Sequence, residues 1–243
     1  MIMFKLSQIA LTASVLSLGM TFSGGASALN LSLNTAGLKA DSVLTFSVAG
    51  YGSSTAAGIS YRHLGNMTRL ADVDVLDPDT GEMIPTPSYN QPITKVDIKI
   101  GWDLKITPVA GNATRSGLQL IRGLRTMTLA NFRLDLENKQ LRGDVILKDG
   151  TTKKQVAIYN LVKNDDLVIS FKGLVLNQTQ SVKNMIFTQE LQDLVASELA
   201  LSAPLKATLA TTDWGTIAVK VTSYKRTPKV SAVPLVAADI PAP

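Results

Sequence analysis

The chain has 243 residues, no cysteine, 45% hydrophobic residues and a formal charge of +5. These figures exclude disulfide scaffolds, thiolate metal sites, cysteine nucleophiles and global disorder, and they leave room for one large β-domain or two small ones resting on a hydrophobic core. Aromatic residues make up only 5%, so the stacking platforms of specific nucleic-acid recognition are missing and the scattered basic residues read as the solvent face of strands.

In chain order, the first element is a leader. One positive charge (Lys5) precedes the apolar run Ile9–Met20, and Ala26-Ser27-Ala28 gives the small-residue pattern cut by a signal peptidase. Residues 1–28 are thus expected to be a signal peptide, with an apolar stretch too short for a stable membrane helix. The mature chain is expected to start at Leu29 and to be exported, as a periplasmic, outer-surface-associated or extracellular protein. No later segment has the length of apolar residues that a membrane helix needs.

Period-two alternation then dominates, the signature of half-buried strands. Leu29, Leu31 and Leu33 alternate with Asn30, Ser32 and Asn34, and residues 43–48 and 93–100 follow the same rule. Between Gly50 and Pro92, glycines and prolines predict long loops around short strands, where a β-scaffold usually keeps its binding function. Strands are read at 118–121, 125–136, 140–147, 155–161 and 167–176, joined by polar turns such as Lys148-Asp149-Gly150-Thr151. Residues 188–201 place Leu191, Leu194, Val195 and Leu199 at helical spacing. Thr188 is suited to cap the start, and Ser202 and Pro204 to close the helix. A last strand covers 215–224, and the two tryptophans, Trp102 and Trp214, are assigned to sheet edges.

The predicted fold is all-β: an antiparallel β-sandwich or partly open barrel with one amphipathic helix at about 188–201. Residues 29–226 form a single domain, and 227–243 form a flexible or extended tail rich in Pro, Ala and Val.

The stretches Leu124–Asp135, Gln140–Val145, Val156–Leu161 and Ile186–Thr188 running on to Trp214–Val219 carry a resemblance. From about 117 to 221 the layout resembles the haem-uptake-associated (HtaA-like) domain of actinobacterial surface proteins and comparable exported proteins with sorting tails. The resemblance implies an exported all-β domain with one inserted helix. In haem-binding members it implies a Tyr and a His near these strands. Where a His is expected, just before the strand starting near Leu124, this chain has Ile121 and Arg122. Val230–Pro234 is similar to the segment that precedes a sorting anchor; with no anchor sequence after it, release or non-covalent retention is expected.

Two groups of residues carry candidate chemistry. Tyr61 and the sole histidine, His63, are two apart, so on a strand they share a side; they are either an edge-strand surface pair or a grip for a metal or haem. Asp72, Asp74, Asp77, Asp79 and Glu82 crowd hard oxygen ligands suited to calcium, although the spacing is not that of an EF-hand and Asp77-Pro78-Asp79-Thr80-Gly81 is equally a β-turn. No Gly-x-Ser-x-Gly elbow, dinucleotide fingerprint or phosphate loop is present. No cofactor and no catalytic residue is assigned. The expected function is that of a non-catalytic secreted or envelope protein acting by interaction, as a cell-surface, periplasmic or biofilm-matrix component. Its partner is an envelope or matrix component or a second copy of itself, joined by strand addition. A small-ligand carrier for haem, lipid or metal and an envelope-polymer hydrolase stand as alternatives.

Overall fold

The computed structural model describes residues 29–102, 106–164, 168–172 and 175–241; the expected leader lies outside them. Within these residues, fifteen strands and three α-helices succeed one another. The first part holds β1 (Leu29–Asn34), β2 (Leu38–Phe46), α1 (Val48–Ala56), β3 (Ser60–Gly65), β4 (Thr68–Arg69), β5 (Val73–Leu76), β6 (Met83–Thr86), β7 (Ser88–Pro92) and β8 (Lys95–Ile100). The second holds β9 (Ile106–Arg122), β10 (Arg125–Asp135), β11 (Gln140–Leu147), β12 (Thr152–Asn164), β13 (Val168–Lys172), β14 (Val175–Phe187), α2 (Gln189–Glu198), α3 (Ala203–Thr211) and β15 (Gly215–Lys225).

Thirteen strands make one sheet, in the order β1-β8-β9-β10-β11-β12-β14-β15-β2-β7-β4, with β13 added to β14 and β3 to β9. The sheet curls towards a barrel because β7 and β8 are successive parts of one bent segment. Its first half pairs with β2 and its second half with β9. At the bend, the Ile93 amide donates to Ala40 O and the Thr94 amide to Asn112 O, both at 2.8 Å. The fold is therefore all-β, an antiparallel, partly open barrel, as the alternation of the sequence predicts.

The alternation also fixes the core. Leu118, Leu120, Met127, Leu129, Val145, Ile158, Met185 and Ile217 all point inward and are almost fully buried. At about 25 cal/mol per Å2 of apolar surface, burying each of these side chains contributes about 1.5–3 kcal/mol. Trp214 corrects the edge assignment: it is 2% exposed and stacks on Phe187 with ring centroids 4.1 Å apart, inside the core. Trp102, by contrast, is exposed.

Barrel curvature is concentrated along a row of bulges. Arg115 in β9, Asn131 in β10, Gln155 in β12 and Asn184 in β14 all have φ between 48° and 63°. The registers of β10 with β9 and of β11 with β12 shift beside three of these residues, as expected where neighbouring strands bend together.

Three helices appear where the sequence predicts one. In α2, Thr188 caps the Leu191 amide at 3.3 Å and buries Leu191 and Val195. Its C-terminal carbonyls are held by the guanidinium of Arg122, which donates to Leu199 O at 2.8 Å and to Ala200 O at 2.7 Å. Pro204 does not end the helical region but stands in the first turn of α3, where its missing N–H costs no bond. The stretch 48–56, where Gly50 and Gly52 predict a loop, is α1; Ser47 caps it, and Gly50 lies so close to Asp213 O and Trp214 that a Cβ there would be 3.1 Å from both.

Residues 227–241 run across the face of the sheet opposite the main core and turn through a short 3-10 helix at Ala237–Asp239. Leu235 is 2% exposed in a small apolar cluster with Leu64, Ala130 and Ile146, separate from the barrel interior.

Candidate functional site

Three places could serve a ligand or partner: the barrel interior, the Tyr61 and acidic-loop regions singled out by the sequence, and the sheet edge formed by β1.

The interior holds an apolar cavity of about 40 Å3. It is lined by Ile93, Val96, Ala113, Phe132, Ile217 and Val219 among others. That volume suits about three waters, and a haem or a lipid chain needs roughly an order of magnitude more.

Tyr61, on β3, turns its ring towards Phe46 at a centroid distance of 4.9 Å. Its hydroxyl is 2.5 Å from Ser54 Oγ, and Ser54 donates its own proton to Gly50 O at 2.7 Å. The Tyr61 O–H must therefore be the donor to Ser54. Burial pushes the phenol far above its ordinary pKa; the Ser54 contact offsets this only in part, and nearby Tyr89 and Tyr51 add to the rise. This phenol is a buried neutral donor that ties α1 to β3. His63, two residues on, is exposed and pairs with Leu118. Arg122, in the region where the resemblance implies a His, caps helix ends, donating to Ala57 O at 2.9 Å as well as to α2.

The acidic residues fall on the β5–β6 hairpin, a two-stranded sheet of its own. Asp77 is committed to the turn: it accepts from the Asp79 amide at 3.1 Å and from Thr80 Oγ1 at 3.0 Å. Asp72 pairs with Arg69 at 2.5 Å. Asp74 lies on β5 opposite Pro85, and Asp79 and Glu82 are exposed on the turn. Among the described residues, no three His, Asp or Glu side chains come together as a metal site.

The third place is β1. Among the described strands it pairs with β8 alone, from Leu29 opposite Ile100 to Asn34 opposite Lys95, and its other side carries no strand. Elsewhere in the sheet, β15 pairs with β2 as far as Lys225 opposite Leu38. Beyond that point the Arg226 amide still donates to Gly37 O at 2.8 Å, and its guanidinium donates to Leu38 O and Ala40 O. Leu29, Leu31 and Leu33 share the face that Val96 and Ile98 turn towards the core, yet Leu29 and Leu33 are each 46% exposed. On the opposite face, Ser32 Oγ donates to Asp97 at 2.7 Å and fixes β1 to β8. The alternation of Leu and Asn is legible in the sequence. That it falls at a sheet edge is not, because edges depend on which distant strands pair.

The molecule is thus an all-β domain whose sheet curls into a partly open barrel. No protein-family model and no curated protein matches the chain. Among solved structures, the C-terminal domain of HtaA from Corynebacterium glutamicum is distantly similar, with a TM-score of 0.36 and 12% identity over 76% of this chain and 98% of that domain. Among the described residues, no helix is long and apolar enough to cross a membrane.

Proposed function

We propose that this protein is an exported, non-catalytic binding component of a bacterial envelope or surface, and that β1 is its working edge. The observation that supports the reading is the row of Leu29, Leu31 and Leu33 on a strand that, among the described residues, is paired along one side only. Such an edge is a template for strand addition, in which backbone hydrogen bonds supply affinity and alternate side chains supply selectivity. The β1 sequence is self-complementary: in an antiparallel pair centred on Leu31, Leu29 faces Leu33 of a second copy and Asn30 faces Ser32. An isologous dimer of this kind closes on itself. The small interior and the neutral, internally bonded Tyr61 lend nothing to a carrier of haem or lipid.

Sedimentation velocity on the chain starting at Leu29 tests this. Concentration-dependent dimerisation is expected, weakened roughly tenfold or more by Leu31→Lys together with Leu33→Lys, which set charges on the apolar face of the edge. A wild-type chain that stays monomeric, and that captures no envelope fraction of its host, sinks the proposal.

A further inference from the structure

Residues 230–241 cross the outer face of β3, β9, β10 and β11 and are held there mainly by side chains rather than by a strand ladder. Asn131 grips them like a second backbone: its Oδ1 accepts from the Leu235 amide at 2.8 Å and its Nδ2 donates to Leu235 O at 2.9 Å. Asn131 is itself 8% exposed and locked, because Oδ1 also accepts from the Arg115 amide and Nδ2 also donates to Asp144. The Leu235 side chain fills a socket between Leu64, Ala130 and Ile146. That socket exists because position 117 is glycine: a Cβ there would stand 2.8 Å from Leu235 Cδ2 and 3.3 Å from Leu64 Cβ. Four residues on, both guanidinium nitrogens of Arg115 reach the carboxylate of Asp239, at 3.2 and 3.3 Å. Asn66 adds a bond to Ser231 O at 2.7 Å.

We propose that this groove is a recognition site for a segment bearing Leu and Asp four residues apart and turning through a short 3-10 helix between them, filled here in cis by Leu235 and Asp239, and that its trans occupant is the same segment of a second copy. The inference rests on the reading of the protein as a binding component but uses a surface other than β1. A buried apolar anchor, a two-way amide clamp and a bidentate ion pair read both side chain and backbone, which is how peptide grooves gain selectivity. The segment can reach a neighbour. Arg226 is tied to Leu38 O, Ala40 O and Asp41, so the pivot lies at 227–229, and the twelve residues beyond it span about 40 Å when extended. Exchange of an identical segment between copies keeps every contact and changes only the chain that supplies it.

The test uses a fluorescein-labelled peptide of residues 229–241 and the full chain, either wild type or carrying Leu235→Ser to empty its own socket, with folding checked by circular dichroism. Fluorescence anisotropy should show the Leu235→Ser chain binding the peptide at least roughly tenfold more tightly than wild type, whose tethered segment competes at high effective concentration. Adding Gly117→Val to that chain, or Asp239→Ala to the peptide, should weaken capture. If Leu235→Ser fails to fold, Asp239→Ala in the full chain replaces it as the loosened variant. A folded, loosened chain that binds the peptide no better than a scrambled one overturns the proposal. Repeating the titration with Leu31→Lys separates the two surfaces: peptide capture should persist where β1 pairing is lost, and loss of capture there counts against a separate groove.

Discussion

Asn131 and Asp144 meet where the strands bend, and the carboxylate of Asp144 is almost closed off, at 5% exposure. Burial alone would raise its pKa. Hydrogen bonds from Asn131 Nδ2, the Gln155 amide and Lys154 Nζ outweigh that and hold it below the usual carboxylate range. Because the folded-state pKa lies below the unfolded value of about 3.9, the unfolded chain binds more protons as acid is added. The stabilisation is present above about pH 4 and is lost as pH falls through the lowered folded-state value. Asp144→Asn should therefore flatten the acid limb of the stability curve relative to wild type, as read by urea unfolding at several pH values. Asp144→Ala, which strands the Asn131 and Gln155 donors, should cost about 3 kcal/mol at neutral pH. An unchanged acid limb in Asp144→Asn would show that other carboxylates, such as Asp97, carry it. None of this is legible in the sequence. Left-handed backbone at Arg115, Asn131 and Gln155 is imposed by barrel curvature, and nothing local in those residues announces it.

At the scale of elements, the strands are legible because a sheet with one wet and one dry face writes its period directly into the sequence. β10 and β11 lie within a residue or so of the expected bounds. β9 runs from 106 to 122, although the alternation marks only 118–121 as strand. Its first half contains Pro108 and Gly111, which interrupt the alternation while the flanking strands still hold it in place. The two unexpected helices have equally local reasons. Two glycines hide α1, whose position depends on the distant Asp213 carbonyl, to which Ser47 donates at 2.5 Å. Pro204 reads as a stop or as a first-turn residue depending on whether the chain after it is helical. The β5–β6 hairpin, which carries Asp74, Asp77, Asp79 and Glu82 at its strands and turn, belongs to the other extreme. It has two strands only and leaves Leu76 and Met83 more than half exposed. Isolated hairpins are marginal in water. Hydrogen exchange should therefore show the amides of β5 and β6 opening roughly a hundredfold or more faster than those of β10. Protection equal to that of β10 would mean that the hairpin packs more firmly than its exposure indicates.

At the scale of the whole molecule, the question is whether the barrel is a container or a scaffold. Its wall bends round through the 88–100 segment, and side chains from β2, β7, β9, β10, β11, β12, β14 and β15 fill the inside, beside a cavity of about 40 Å3. Gly111 lines that cavity, and a Cβ added there would meet a single neighbour, Ile93 Cγ2, at 3.9 Å. Its φ lies outside the left-handed region, so alanine brings no backbone strain. Gly111→Ala should therefore fill empty space and restrict the unfolded chain at once, stabilising the protein by about 0.5–1 kcal/mol. For a domain of this size that corresponds to a rise in Tm of about 1–4 °C in a calorimetric scan. A scaffold that works through its edge and its outer groove should keep its dimerisation and its capture of the 229–241 peptide unchanged by this substitution. A protein that uses its interior should show altered ligand retention as the space shrinks. A fall in Tm would show that the methyl does not fit the space, whereas loss of partner binding with the fold intact would show that the space is used, and the container reading would then displace the scaffold.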